Sequence, residues 1–410
     1  MFNGMKNHIK SFLLIFLVVF TSCEKKLNPL IELINTTPEL STIATNSEYE
    51  VQIFYTQIDR DSLNQPHFIT YGFGVDDNQY FYPASTVKFP AVLLALEKLN
   101  QLGISANARM EIDSAYSGQS EVRIDSSAPN LEPSVAHYSK KIMLVSDNDA
   151  FNRLYEFIGQ DELNRSLFEK GYTNSKIQHR LSISLSKEEN ARTNPIRLYE
   201  GRELLHEQLM KVGVKDYSSS EPIKRGIGYY SRGELTNEPF DFSTKNFFPL
   251  SEQHQMVQAF IFPESFPESA FDLRPEDRAM VLKYGSIIPR DSEIEAYKDS
   301  THYWDTYVKF LMYGSDPETS IPKNIRVFNK IGLAYGFSTD NAYIVDVENK
   351  VEFFLSVVIN TNPNQIYNDN IYSYDEIAFP FLENLGQAIY QMELKRDKEN
   401  SPVFESILID

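Results

Sequence analysis

Strand-like sequence sits near both ends of this chain and is scarce between them. Tyr49–Thr56 and His67–Gly74 are rich in β-branched and aromatic residues, and Asp59–Pro66 between them is turn material, so the pair reads as a hairpin. Strand character returns at Asn324–Ile331, Asn341–Val347 and Val351–Asn360, a meander whose last two runs are joined by the turn Glu348–Lys350. The intervening segments read mostly as helices: Pro133–Val145, Asp149–Ile158, Asp161–Lys170, Pro195–Val212, Leu250–Phe260, Pro275–Tyr284 and Trp304–Met312. A last helix follows at Tyr374–Lys395. The pattern predicts an α/β (α+β) fold: one antiparallel sheet pairing the N-terminal hairpin with the C-terminal meander, covered by helices, with a mostly helical lobe inserted. Residues 49–103 and 322–395 form the α/β lobe of this reading. Residues 104–321 form the helical lobe, in which 213–249, rich in Ser, Gly, Pro and Tyr, is a further insertion. With 42% hydrophobic residues in 410, there is ample material for a large core.

The first 22 residues stand apart. Lys6 and Lys10 precede the apolar run Phe12–Phe20, which is too short to span a bilayer, so the stretch reads as an export signal. It ends in Phe20-Thr-Ser-Cys23, which resembles the bacterial lipobox, with Phe20 where leucine is usual. Cys23 is the only cysteine. Lipid on it would tether the protein to a bacterial membrane on the periplasmic or cell-surface side, with residues 23–48 as the tether. A protein with one cysteine has no internal disulfide and depends on its packing. The formal charge of −18 becomes −20 without the signal, which carries two lysines and no acid. Such a body does not favour nucleic acid or anionic lipid surfaces. Seven histidines are scattered with no His-Glu-x-x-His, so neither a metal nor another cofactor is expected.

The chemistry-bearing stretch is Pro83–Asn100, an apolar helix with Ser85 and Lys88 on its first turn and Gly103 as its stop. Residues three apart share a helix face, so the Lys88 amine can reach the Ser85 hydroxyl. A serine becomes a competent nucleophile when a neighbouring base takes its proton. Lysine can be that base when burial and the positive end of the helix dipole depress its pKa. The spacing alone is common: Ser22/Lys25, Ser184/Lys187 and Ser320/Lys323 share it, though none opens an apolar helix. For Ser85 alone, the plainer alternative is an N-cap serine followed by a surface lysine.

Two further motifs follow in order. Ser146-Asp147-Asn148 lies between two helices, and Lys330-Ile331-Gly332 lies on a C-terminal strand. Taken singly, Ser146 and Asn148 read as turn or cap residues, Lys330 as an edge-strand charge and Gly332 as a bulge. Taken together, the three resemble the Ser-x-x-Lys, Ser-Asp-Asn and Lys-Thr-Gly signatures of the penicillin-recognising serine enzymes, the penicillin-binding proteins and class A β-lactamases. The resemblance spans residues 49 to 393. It implies a β-lactamase/transpeptidase-like fold, and an acyl-enzyme formed on Ser85 with Lys88 taking the proton. It also implies an oxyanion hole from the backbone N–H groups of Ser85 and Leu333. Ser146 would pass a proton to the leaving nitrogen. Asn148 would bind a substrate amide and orient Lys88, and Lys330 would hold Ser146 and attract a carboxylate. Gly332 would leave room for a substrate along the strand. The substrate implied is a β-lactam or a cell-wall peptide.

Two departures qualify the match. Ile331 stands where the family has Thr or Ser, a hydroxyl that grips the substrate carboxylate. The loop from Arg180-Leu181 to Arg192–Pro195 has no Glu followed four residues later by Asn, the pair that clears the acyl-enzyme in class A enzymes. Its only acids are Glu188 and Glu189. Three readings follow: a lipid-anchored β-lactamase-like hydrolase, a cell-wall peptidase that stays acylated, or a catalytically idle lipoprotein that binds a peptide or glycan.

Overall fold

A computed structural model of the chain describes residues 28–404. The expected signal and Cys23 lie outside the described residues. The segment read as tether is packed on the body from its first helical turn: α1 (Pro29–Thr36) and α2 (Pro38–Ala44) bury Leu30, Ile34, Leu40 and Ala44. Both prolines open helices, at the position where a missing N–H costs nothing. The Asn28 side chain caps α1 by accepting from the N–H groups of Leu30 and Ile31.

The hairpin follows as β1 (Gln52–Arg60) and β2 (Pro66–Phe73). Next come α3 (Lys88–Leu102), ended by Gly103 in the left-handed region (φ 69°), and β3 (Arg109–Ile112). The helical lobe is built from α4 (Val135–Val145), α5 (Asn148–Ile158) and α6 (Gln160–Glu169), with the one-turn α7 (Lys187–Asn190) in the loop beyond.

Residues 195–212, expected as a helix, are instead a hairpin of β4 (Ile196–Glu200) and β5 (Glu203–Gln208), with β4 also paired to β3. Ile196 and Leu198 are buried while Arg197 and Tyr199 are only partly so. That is a period of two, and Gly201 at φ 56° makes the turn. The 213–249 segment carries four short strands: β6 (Lys224–Arg225), β7 (Gly228–Ser231), β8 (Glu234–Thr236) and β9 (Phe240–Asp241).

Then come α8 (Leu250–Ile261) and α9 (Pro275–Ser286). Trp304–Met312, also expected as a helix, forms turns. Its groups are engaged elsewhere: Trp304 Nε1 donates to the Ser315 carbonyl at 2.8 Å and the Leu311 N–H to Asp340 at 3.0 Å.

The chain closes with β10 (Ile325–Ala334), β11 (Phe337–Asp346), β12 (Val351–Asn360), the short β13 (Ile366–Tyr367) and α10 (Phe379–Lys395). The main sheet has the order β10-β11-β12-β1-β2 and joins hairpin and meander in one antiparallel sheet, a union the strand distribution predicts. Every residue of β11 and β12 is buried, which is what a sheet covered on both faces requires. One face packs on α1, α2 and α10 through Ile331, Ile344, Leu355 and Leu385. The other meets α8 and the helical lobe through Phe328, Tyr343 and Phe354. The edge strand β10 lies along the turn that leads into α3.

Candidate active site

Ala84–Val87 forms a single 3₁₀ turn ahead of α3. Ala84 sits at φ 48°, a left-handed conformation that costs a non-glycine residue about 1–2 kcal/mol. Such strain persists only where the surroundings enforce it. Ser85 beside it is partly exposed, while all the remaining residues from Phe81 to Pro90 are buried.

Lys88 is fully buried. Its Nζ lies 2.8 Å from Ser85 Oγ, 2.7 Å from Asn148 Oδ1 and 3.2 Å from Ser146 Oγ, and it also meets the Ser146 carbonyl. Burial pushes the Lys88 pKa well below its usual value; the charge of Lys330 adds to this and Asp147 opposes it. A neutral amine held against a serine hydroxyl can accept its proton.

The second motif is a helix junction. Ser146, at φ 58°, ends α4 and Asp147 caps α5 by accepting from the Ala150 N–H. This cap geometry aims the Ser146 hydroxyl between two lysines. Lys330 Nζ donates to Ser146 Oγ at 2.8 Å and to the Ile331 carbonyl at 3.0 Å. Burial holds the Lys330 pKa down to about 7, with Asp340 opposing and Lys309 adding. Ser85, Lys88, Ser146, Asn148 and Lys330 thus form one connected cluster drawn from three separate elements.

Gly332 has a packing use besides the one expected. A Cβ there would stand 2.5 Å from the Pro83 carbonyl and 2.8 Å from Thr339 Cγ2, so the bare backbone lets β10 lie against the turn that carries Ser85. Leu333 packs its side chain behind the sheet, leaving its backbone as the part available at the strand edge. Ile331 also belongs to the apolar cluster behind the sheet. Alternation along the strand puts it on the face opposite Lys330, across from Asp340.

Behind Ile331 lies a polar group that sequence reasoning missed. Lys309 Nζ donates to Asn329 Oδ1 at 2.7 Å and to the Gly285 and Val327 carbonyls at 2.8 Å. Asn329 Nδ2 in turn donates to Asp340 at 2.8 Å. Burial pushes Lys309 down and Asp340 up.

The loop after α6 is held by Arg180, whose guanidinium donates to the Glu189 and Arg192 carbonyls at 3.1 and 2.6 Å. Asn152 clamps the Leu181 backbone on both sides, accepting from its N–H and donating to its carbonyl at 2.9 Å. At φ 54° Ser182 turns its hydroxyl to the site, accepting from Asn148 Nδ2 at 2.8 Å. Of the two loop acids, Glu188 is solvated and Glu189 completes a capping box with Ser186. None of the hydrogen-bond partners of Ser85, Lys88, Ser146 or Lys330 among the described residues is a carboxylate. Nor, among those residues, do three His, Cys, Asp or Glu side chains gather as for a metal ion.

Residues 35–207, which contain the first two motifs, match the model of the beta-lactamase enzyme family. Among solved structures the chain is similar to a variant of the last common ancestor of the class A beta-lactamases of Gram-negative bacteria. Identity there is 12% and the TM-score 0.50, over 90% of this chain and 100% of that one. It is also similar to PBP-A, at 14% identity and TM-score 0.49, over 89% and 97% of the two chains. A beta-lactamase from Xanthomonas campestris aligns at 14% identity and TM-score 0.47, over 88% and 97%. No curated protein matches the sequence. The resemblance that the three motifs carry is borne out, and the fold is β-lactamase/transpeptidase-like.

Proposed function

We propose that this β-lactamase-like chain is a serine hydrolase that forms an acyl-enzyme on Ser85. We propose too that it is exported and held to a bacterial membrane by lipid on Cys23. The observation that carries the first part is the dehydrated Lys88 amine 2.8 Å from the Ser85 hydroxyl.

In the reaction Ser85 Oγ attacks a carbonyl carbon as Lys88 Nζ takes its proton. The backbone N–H groups of Ser85 and Leu333 stabilise the oxyanion. Ser146 Oγ, between Lys88 and Lys330, protonates the leaving nitrogen and is reprotonated through the lysines. The C–N bond breaks and the acyl group remains as an ester on Ser85. The substrate class is a β-lactam or a related amide or ester.

A second reading is favoured by the loop, from which Ser182 meets Asn148 while Glu188 is solvated and Glu189 caps a helical turn. A peptidase acting on cell-wall peptides would form the ester and release it slowly. Intact mass of the full-length protein in mild detergent, mixed with a penicillin or a cephalosporin and followed in time beside Ser85→Ala, separates the readings. A transient adduct with drug consumed favours the β-lactamase. A lasting adduct on wild type alone favours the peptidase. No adduct with either drug or with an activated ester overturns both. Cys23→Ser should release the protein from the membrane fraction; if it stays bound, the lipid anchor is wrong.

A further inference from the structure

The 213–249 segment plays no part in the chemistry above, yet it ends against the wall of the site. Phe242 packs on Tyr82, three residues before Ser85, with ring centroids 6.3 Å apart. Phe240 and Phe242 both pack on Tyr335, just past the end of β10, at 5.7 and 5.5 Å. Asn246, fully buried, fastens the end of the segment: its Oδ1 accepts from the N–H groups of Gln178 and His179 at 2.8 and 3.1 Å. Gln178 Nε2 returns a bond to the Lys245 carbonyl at 2.7 Å.

Between this fastened end and the 178–190 loop lies a cavity of about 140 Å³, lined in part by His179, Ile183, Ser184 and Lys245. It adjoins the site at two points. The His179 ring stacks on Tyr82, 6.1 Å away and within 5° of parallel. Ile183 and Ser184 directly follow Ser182, whose hydroxyl meets Asn148. The second point places the cavity beside Asn148, the residue read as binding a substrate amide, and so on the acyl side. Past Lys245 it continues into a second cavity of about 480 Å³, with which it shares Gln178 and Lys245. A small bicyclic lactam would leave most of this space empty.

The charge of the inner cavity opposes that of the protein. The chain carries −18, yet no Asp or Glu lines this cavity. Of its three fixed cations, Arg180 is turned to Glu156 at 3.1 Å and Lys187 is paired with Asp216 at 2.6 Å. Lys245 is the one with no carboxylate partner among the described residues; its ammonium lies 5.6 Å over the Phe240 ring. Burial lowers its pKa, so part of its hydration is already gone. An anion reaching it would meet a stronger field than at an open surface. The outer cavity is mixed in charge, with Lys176 facing a lining that includes Asp77 and Glu221.

We propose that this cavity is the acyl-side subsite, that it takes a peptide-like acyl chain bearing a carboxylate, and that Lys245 recognises the carboxylate. The assignment rests on Ser85 being the acylated residue, which sets the acyl side.

The test measures binding apart from chemistry. In Ser85→Ala protein, saturation-transfer NMR compares glutaryl-glycyl-glycinamide with the neutral acetyl-glycyl-glycinamide. The glutaryl peptide should bind at least about fivefold more tightly, and 0.5 M NaCl should cut that ratio by screening. Adding Lys245→Met should bring the ratio to within about twofold of unity, and Lys245→Arg should restore it. Equal affinities, no binding of either peptide, or a preference that survives both salt and Lys245→Met would each overturn the proposal. If Lys245→Met does not fold, the salt arm decides. Labelling of wild-type Ser85 by a neutral acetyl-glycyl thioester reports on the hydrolase reading alone, so the two can fail separately.

Discussion

The two sides of Ser85 are furnished differently. Toward α4, α5 and β10, polar groups converge: Lys88, Ser146, Asn148 and Lys330 are joined by bonds of 2.7–3.2 Å. Toward the 180–195 loop, they turn away. Arg180 is bound to loop carbonyls, Glu189 caps a helix turn, Glu188 is in solvent, and Ser182 alone reaches the cluster. On the proposed reading, one side has what forming an ester needs, a base and a proton donor. The other, among the described residues, brings no carboxylate into hydrogen-bond contact with the cluster. On the proposed acyl-enzyme reading, the contrast teaches that the two halves of the cycle are built separately and that one can be furnished without the other.

The largest effect should come from the furnished side. Lys88→Met should slow labelling of Ser85 by about 10³-fold, within the range of a lost general base. A loss under tenfold would mean that the amine is not the base. The pH profile sharpens this. The Lys88 pKa is lowered, so its neutral form persists below the usual lysine range. Wild-type labelling should therefore persist below the usual lysine range and fall on further acidification as Lys88 gains a proton, and Lys88→Met should lose that limb.

The bare side can be furnished. Ser182→Glu places a carboxylate beside Asn148 and should shorten the life of a Ser85 adduct by about 10²-fold, read by intact mass against time. An unchanged lifetime would show that release is limited by something other than a missing base, and the contrast would lose its meaning.

A third change tests the seam between strand and nucleophile turn. Gly332→Ala drives a Cβ to 2.5 Å from the Pro83 carbonyl. Overpacking of this kind costs about 1–3 kcal/mol. It should lower Tm by several degrees and slow labelling by about tenfold as the Ser85 turn shifts. Unchanged melting and labelling would mean that β10 and the turn can part freely.

What the sequence revealed divides along the same line. The furnished side was legible because each motif is local and marks its own element: a serine and lysine on an apolar helix, a cap junction, a lysine and glycine on a strand. That the hairpin and the meander share one sheet was legible because strands near the two ends had little else to pair with; the strand order was not. The loop acids were visible as residues, but their orientation was not, since it depends on the Ser186 cap and the Arg180 brace. Lys309 in an aromatic-rich run gave no sign that it would be buried, because its partners Asn329 and Asp340 arrive from the distant meander. The β4–β5 hairpin was misread as helix although Ile196, Leu198 and Gly201 carried a period of two and a turn. Phe240, Phe242 and Lys245 lay in a stretch without periodicity, whose place beside Tyr82 is set by Asn246 and tertiary packing.

The smallest effect is expected at Ile331, the residue whose chemistry departs most visibly from the family motif. From the sequence, an apolar branch in place of a hydroxyl questions carboxylate recognition. In the fold its side chain packs with Val327, Ala342 and Ile344 behind the sheet, on the face away from Lys330. Ile331→Thr therefore puts a hydroxyl into an apolar cluster near Asp340 rather than into the site. It should cost about 1–2 kcal/mol in stability and change the rate of penicillin labelling by less than about threefold. A tenfold gain would show that position 331 reaches the substrate after all, and that the furnished side was incomplete. A loss of melting temperature with labelling preserved would place the departure in the core, and leave recognition of the substrate to groups on the Lys330 face and in the loop.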